Sequence, residues 1–197
     1  MSNAEELPSL EAIVIGASAG GVEALLGILS PLREGFALPI IVVLHLPDER
    51  RSHLAEVFDR RVAMRVQEAR DKTQVEAGTL YFATPGYHLS VEHDRTFSLS
   101  LEDRVHYSRP AIDFLFESAA DAYGKHLAAV LLTGANRDGA SGLAQVKRRG
   151  GLTIVQDPGE AQVATMPRAA LALHHPDHIL PIRGIGRLLV ELERIAC

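Results

Sequence analysis

The chain has 197 residues, 47% of them hydrophobic and 23% charged, with a formal net charge of −5; this balance supports one folded core burying roughly 70% of the unfolded surface and excludes a disordered chain. An acidic chain without an aromatic-plus-basic stripe argues against nucleic acid as a partner. Its only cysteine is Cys197, so an internal disulfide and a cysteine metal cluster are excluded, and a reducing, cytoplasmic location is expected.

Residues 1–10 carry Glu5 and Glu6 and no apolar leader core, and no later apolar run reaches the roughly 18 residues of a membrane span. Neither export nor membrane insertion is expected. This stretch reads as a disordered N-terminal segment or, at Ser2-Asn3-Ala4, a remnant of cloning, and residues 11–197 as one catalytic domain. Ala12 to Ile15 is a short β-branched run ending in a glycine-rich turn, and Val22 to Leu32 has helical spacing at Val22, Leu25, Leu26 and Leu29. The unit repeats with the strand Ile40 to Leu44 and a helix near Ser52 to Arg61. Leu80-Tyr81-Phe82, His88 to Val91 and Thr96 to Leu101 are shorter and partly alternating, with a turn signal at His93-Asp94, and read as an inserted antiparallel hairpin.

Pro110 is expected to open a helix with Ile112, Leu115, Phe116 and Ala119 on its apolar face, and Gly124 to end it. Ala128 to Leu132 and Leu152 to Val155 are two further strands flanking the helix Gly139 to Arg149. Met166 to Ala172 is helical, Ile179-Leu180 is a strand, and Ile185 to Ile195 is a final packing helix. Continuous rather than alternating apolarity in the four main strands means burial on both faces. The fold class is therefore α/β, a doubly wound, mostly parallel sheet with helices on both faces.

In such a sheet the residues just beyond the strand C-termini converge. Ser18 follows the first strand in Gly16-Ala17-Ser18-Ala19-Gly20-Gly21, His45 follows the second, and Asp138 lies in Thr133-Gly134-Ala135-Asn136-Arg137-Asp138-Gly139. They supply a nucleophile, a base and an orienting carboxylate. A serine hydroxyl attacks only when a neutral imidazole takes its proton, and a histidine with a pKa near roughly 6.5 is mostly neutral at pH 7. A buried carboxylate on the other ring nitrogen fixes the tautomer and stabilises the imidazolium. The small residues around Ser18 let a carbonyl approach the backbone, which makes the Ala19 and Ala135 N–H groups candidate oxyanion donors.

These motifs, in this order, resemble the protein-glutamate methylesterases of bacterial chemotaxis, whose catalytic domain carries a Gly-Ala-Ser-x-Gly-Gly turn, a His-x-Pro motif and a Thr-Gly-x-x-x-Asp-Gly loop. The resemblance extends through Thr84-Pro85-Gly86-Tyr87-His88-Leu89, Ser108-Arg109-Pro110-Ala111-Ile112-Asp113 and Met166-Pro167-Arg168-Ala169-Ala170. It implies catalytic roles for Ser18, His45 and Asp138, and makes Arg109 and Arg168 candidate substrate contacts. The implied activity is hydrolysis of glutamate methyl esters on the cytoplasmic signalling region of methyl-accepting chemoreceptors, with glutamine deamidation as a related reaction and no cofactor. The chain departs from the family at Ala19, where threonine is usual, and at Gly134-Ala135-Asn136, where Gly-Met-Gly is usual; Asn136 is expected to adopt the positive φ of the missing glycine. The family's receiver domain has no counterpart in the ten residues before the first strand, so control falls to a separate regulator in trans or the enzyme is constitutively open.

Other readings of the same residues stand beside this one. Gly16-x-Ser18-x-x-Gly21 after a strand also suits a nucleotide- or phosphate-binding module, with Asp48 as the nearest acidic ribose partner. His45 can be a structural histidine, Asp138 an N-cap for the helix after Gly139, and the whole domain a catalytically silent receptor-binding scaffold. His174-His175-Pro176-Asp177-His178 has no second ligand cluster, and no metal site is expected. Lys147-Arg148-Arg149 reads as a solvated helix end.

Overall fold

Every residue of three central segments is buried, and each side chain finds an apolar neighbour on one face or the other. These are β1 (Ala12–Ala17), β2 (Ile40–Leu44) and β7 (Leu127–Leu131) of a computed structural model, which describes residues 9–46 and 53–196. Met1 to Pro8, Pro47, Asp48, Ser52 and Cys197 lie outside the described residues, whereas Leu10 packs into the core at 3% exposure. The remaining elements in chain order are α1 (Gly21–Leu29), α2 (Leu54–Asp59), β3 (Arg65–Glu68), β4 (Thr79–Phe82), β5 (His88–Val91), β6 (Phe97–Ser100), α3 (Ile112–Tyr123), α4 (Ala140–Arg148), β8 (Leu152–Gln156), α5 (Thr165–Leu173), β9 (His178–Leu180) and α6 (Ile182–Ala196).

Seven strands form one parallel sheet in the order β3-β4-β2-β1-β7-β8-β9. Alternate side chains divide between two cores, as the strand pleat requires. Ile13, Ile15, Val42 and Val130 pack with Leu25 and Ile28 of α1, Phe58 of α2 and Leu189 of α6; Val14, Ile41, Val43 and Leu131 pack with Leu115 and Phe116 of α3, Leu143 of α4 and Met166 of α5. The chain builds outward from β1 on one side and returns to β7 on the other. The switch in direction falls between β1 and β7, and the C-terminal ends of the strands at such a switch point are where open α/β sheets bind ligands. No helix among the described residues is long and apolar enough to cross a membrane.

The expected hairpin is narrower than the sequence indicates. β5 and β6 pair antiparallel, with His88 opposite Ser100, but Leu80-Tyr81-Phe82 belongs to β4 in the parallel sheet. Its three side chains are 0–3% exposed and contribute to both cores, so β4 is an interior strand too short for its pattern to show. β3, with the polar sequence Arg-Val-Gln-Glu, gives no apolar signal because an edge strand needs only one paired side. The hairpin docks on α3, where the Ser118 hydroxyl accepts the Val91 N–H at 3.1 Å and His88 stacks on Phe114 with 3.9 Å between ring centres.

Pro110 precedes α3 rather than opening it, because Ala111 is extended (φ −105°, ψ 140°) and its N–H is taken by His88 Nδ1 at 3.2 Å. Gly124 ends the helix as expected. The start of α3 lies directly over β1: a Cβ on Gly16 would stand 2.4 Å from Ile112 Cγ2, and Ile112 is fully buried. Gly16→Ala must therefore lift the first turn of α3 off the sheet. We expect a loss of about 1–3 kcal/mol in urea unfolding, accompanied by lower activity, because that turn carries the contacts described next. Unchanged stability would show that the sheet and helix can separate without cost.

Candidate active site

Three neighbouring strands, in the order β2-β1-β7, deliver the three expected residues to one edge of the sheet. His45 continues β2, its N–H donating to Ala17 O at 3.0 Å, and Ser18 continues β1, its N–H donating to Thr133 O at 3.0 Å. Asp138 ends the loop after β7 and is fully buried. His45 Nε2 lies 2.8 Å from Asp138 Oδ2. The side chains are 10% and 0% exposed, so the pair is shielded from solvent. The carboxylate accepts only, which puts the His45 proton on Nε2 and leaves Nδ1 as the basic nitrogen. Nδ1 is buried without a hydrogen-bond partner among the described residues. The Ser18 hydroxyl likewise makes no hydrogen bond among the described residues.

Asp138 does act as a helix cap, but for a helix other than the one it precedes. Its Oδ2 accepts the Ile112 N–H at 2.7 Å and its Oδ1 accepts the Asp113 N–H at 3.0 Å, both from the open first turn of α3. Helix N-termini attract carboxylates through unpaired N–H groups and the helix dipole. Its own helix, α4, is capped by Asp113, whose Oδ1 accepts the Gly139 N–H at 3.0 Å and the Gly142 N–H at 2.7 Å. Two carboxylates and two helices are thus capped crosswise. Burial, reinforced by the Asp138 charge, pushes the Asp113 carboxyl up to about 7.

Thr133 stitches the turn after β1 to the loop after β7. Its backbone N–H donates to Gln156 Oε1 at 2.8 Å, its carbonyl holds Ser18 N–H, and its hydroxyl donates to Ala19 O at 2.8 Å. Gly134 touches Ser18 so closely that a Cβ there would lie 3.0 Å from Ser18 Cβ and 2.7 Å from Met166 Sδ. Met166 is fully buried and forms the wall behind the serine. The N–H groups of Ala19 and Ala135, both exposed, donate to no acceptor among the described residues. Gly20 holds the turn with φ 79°, a conformation that a side chain disfavours.

One expectation needs correction. Asn136 is not among the positive-φ residues; its Oδ1 instead accepts the Asp138 N–H at 3.1 Å, an Asx turn that shapes the loop by side-chain bonding rather than by glycine-like backbone. Arg109 donates from Nη1 to the carbonyls of Leu101 and Glu102, each at 3.2 Å, while its Nε is buried without a hydrogen-bond partner among the described residues. Arg168, exposed on α5, keeps a side chain without a partner among the described residues. In the histidine-rich segment, Asp177 is bound to the Thr153 N–H and hydroxyl and to Lys147. Asp113, Thr133, Gln156 and Met166 support the site without having been singled out from the sequence. All four act through contacts distant in the chain.

A protein-family profile described as CheB methylesterase matches residues 13–189. A Leptospira interrogans protein, provisionally named a protein-glutamate methylesterase/protein-glutamine glutaminase, is 42% identical over 184 residues, covering 93% of this chain and 95% of the relative. The protein-glutamate methylesterase/protein-glutamine glutaminase 2 of Anaeromyxobacter dehalogenans is 41% identical over 94% of this chain, which spans 54% of that relative's length. The crystal structure of the Thermotoga maritima CheB methylesterase catalytic domain superposes with a TM-score of 0.89 at 34% identity, covering 94% of this chain and all of the other. Sequence, fold and relatives agree that this chain belongs to the CheB methylesterase family.

Proposed function

We propose that this chain is a serine hydrolase that demethylates glutamate methyl esters on the signalling helices of chemoreceptors, with deamidation of glutamine as its second reaction. The observation that carries the reading is the buried His45–Asp138 pair, with the opposite ring nitrogen left basic, and without a partner among the described residues, beside the turn that holds Ser18. His45 Nδ1 takes the proton as Ser18 Oγ attacks the ester carbonyl. The Ala19 and Ala135 N–H groups receive the oxyanion, and Asp138 stabilises the imidazolium. The tetrahedral intermediate collapses to an acyl-enzyme as His45 gives its proton to the departing methoxide, releasing methanol. Water then attacks the acyl group by the same relay and frees the glutamate carboxylate. Arg168, exposed on α5, is the candidate substrate contact.

The test is methanol release from a methyl-esterified receptor signalling fragment, together with covalent labelling by a fluorophosphonate. The expected result is methanol release and a single phosphonylated peptide containing Ser18. Receptor binding without methanol release would make the chain a silent scaffold, and a label on another residue would remove Ser18 as the nucleophile.

A further inference from the structure

We propose that Asp113 is a positioning residue of this esterase: by capping α4 while Asp138 caps α3, it fixes the Asp138 carboxylate against His45 and places a second ionisable carboxyl behind the pair. The proposal rests on the triad reading above. Asp138 stands on a short loop between β7 and α4, and four hydrogen bonds clamp that loop to α3. Two run from the Ile112 and Asp113 N–H groups to Asp138, and two run from the Gly139 and Gly142 N–H groups to Asp113. Asp113 is 6% exposed, and its Oδ1 receives both of its bonds.

The shared geometry has a direct catalytic consequence. Asp138 Oδ2 bonds both Ile112 N–H and His45 Nε2, so any slide of the loop along α3 turns the oxygen away from the imidazole. A misplacement of about 1 Å in such a group costs on the order of 100-fold in rate. The cross-cap opposes that slide where the loop passes into α4, from Asp138 on one side and from Gly139 and Gly142 on the other.

Three titratable groups face Asp113, and a fourth, charged group touches one of them. Asp138 faces it from the loop after β7 and Glu117 from its own helix; His106, from the turn before α3, brings Nε2 to 3.6 Å of Oδ2 and is in turn contacted by Arg137. Its carboxyl is neutral below about pH 7 and charged above it. Ionisation adds negative charge near the site where the imidazolium forms, so it favours the transition state as pH rises.

The experiment compares wild type, Asp113→Asn, Asp113→Ala and Ser18→Ala in methanol release from the esterified receptor fragment between about pH 5.5 and 8.5. Asn keeps one oxygen for both α4 N–H groups and cannot ionise. It should hold kcat within about threefold of wild type at pH 6 and fall about threefold further behind as pH rises through 7, read as the ratio of the two rates so that the titration of the shared base cancels. Ala removes both acceptors and should lower kcat on the order of 100-fold with little change in KM. If Ala does not fold, Asn decides through its pH profile. Wild-type kcat and profile in both variants would overturn the proposal, as would an Asn variant as slow as Ala at pH 6. If the Asp113 variants match wild type while Ser18→Ala is inactive, only the positioning role falls; if Ser18→Ala still releases methanol, the triad reading falls with it.

Discussion

Ser18→Ala should abolish methanol release, with kcat falling on the order of a million-fold, while the protein melts within about 2 °C of wild type. The two halves of this expectation have separate causes. Without the hydroxyl there is no acyl-enzyme, and only the oxyanion donors and substrate binding remain, worth roughly 10³-fold over water. Stability is preserved because the Ser18 hydroxyl makes no hydrogen bond among the described residues, whereas its backbone bonds, N–H to Thr133 O and O to Gly21 N–H, survive truncation. His45→Ala should cost a similar factor, and the double variant little more, because the groups act as a unit. Methanol assay and thermal melt on the same sample decide the matter. Activity within tenfold of wild type would dismiss the nucleophile, and a collapsed melting temperature would trace the loss to structure.

The residues proposed for this chemistry are those the sequence displays best. Ser18 and His45 directly follow continuous apolar strands, and Asp138 stands just before the helix that follows a third, so strand ends locate the first two and the loop motif the last. What fixes them in place is far less visible. Ala111, at the N-cap of α3, has no capping side chain, and nothing nearby shows that a carboxylate 26 residues beyond Ile112 fills the role. Asp113 reads locally as an acid in the first turn of its own helix; its partners are the Gly139 and Gly142 N–H groups of another. Arg109 sits in a family motif, but its carbonyl partners follow from the path of a loop that residue types do not dictate. Leu80-Tyr81-Phe82 shows the same limit, since a four-residue strand carries too little periodicity to reveal which sheet it joins.

Asp138→Asn should lower kcat by about 10³-fold with KM nearly unchanged, and destabilise the fold by about 1–2 kcal/mol. The orientation of the new amide follows from counting donors. Two N–H groups, of Ile112 and His45, converge on Oδ2, and one, of Asp113, points at Oδ1. The asparagine oxygen therefore takes the Oδ2 position, where it keeps two bonds, and the NH₂ meets the Asp113 N–H donor to donor. The His45 tautomer survives, one helix-cap bond is lost, and the negative charge that stabilises the imidazolium is gone. Catalysis then falls for want of charge rather than of orientation. Asp138→Ala loses all three bonds and should destabilise roughly twice as much, with a larger drop in kcat. Steady-state kinetics and urea unfolding of both variants provide the check. An Asn variant within tenfold of wild type would mean that Asp138 serves α3 alone, and equal stability losses for Asn and Ala would mean that the amide does not keep the Oδ2 bonds.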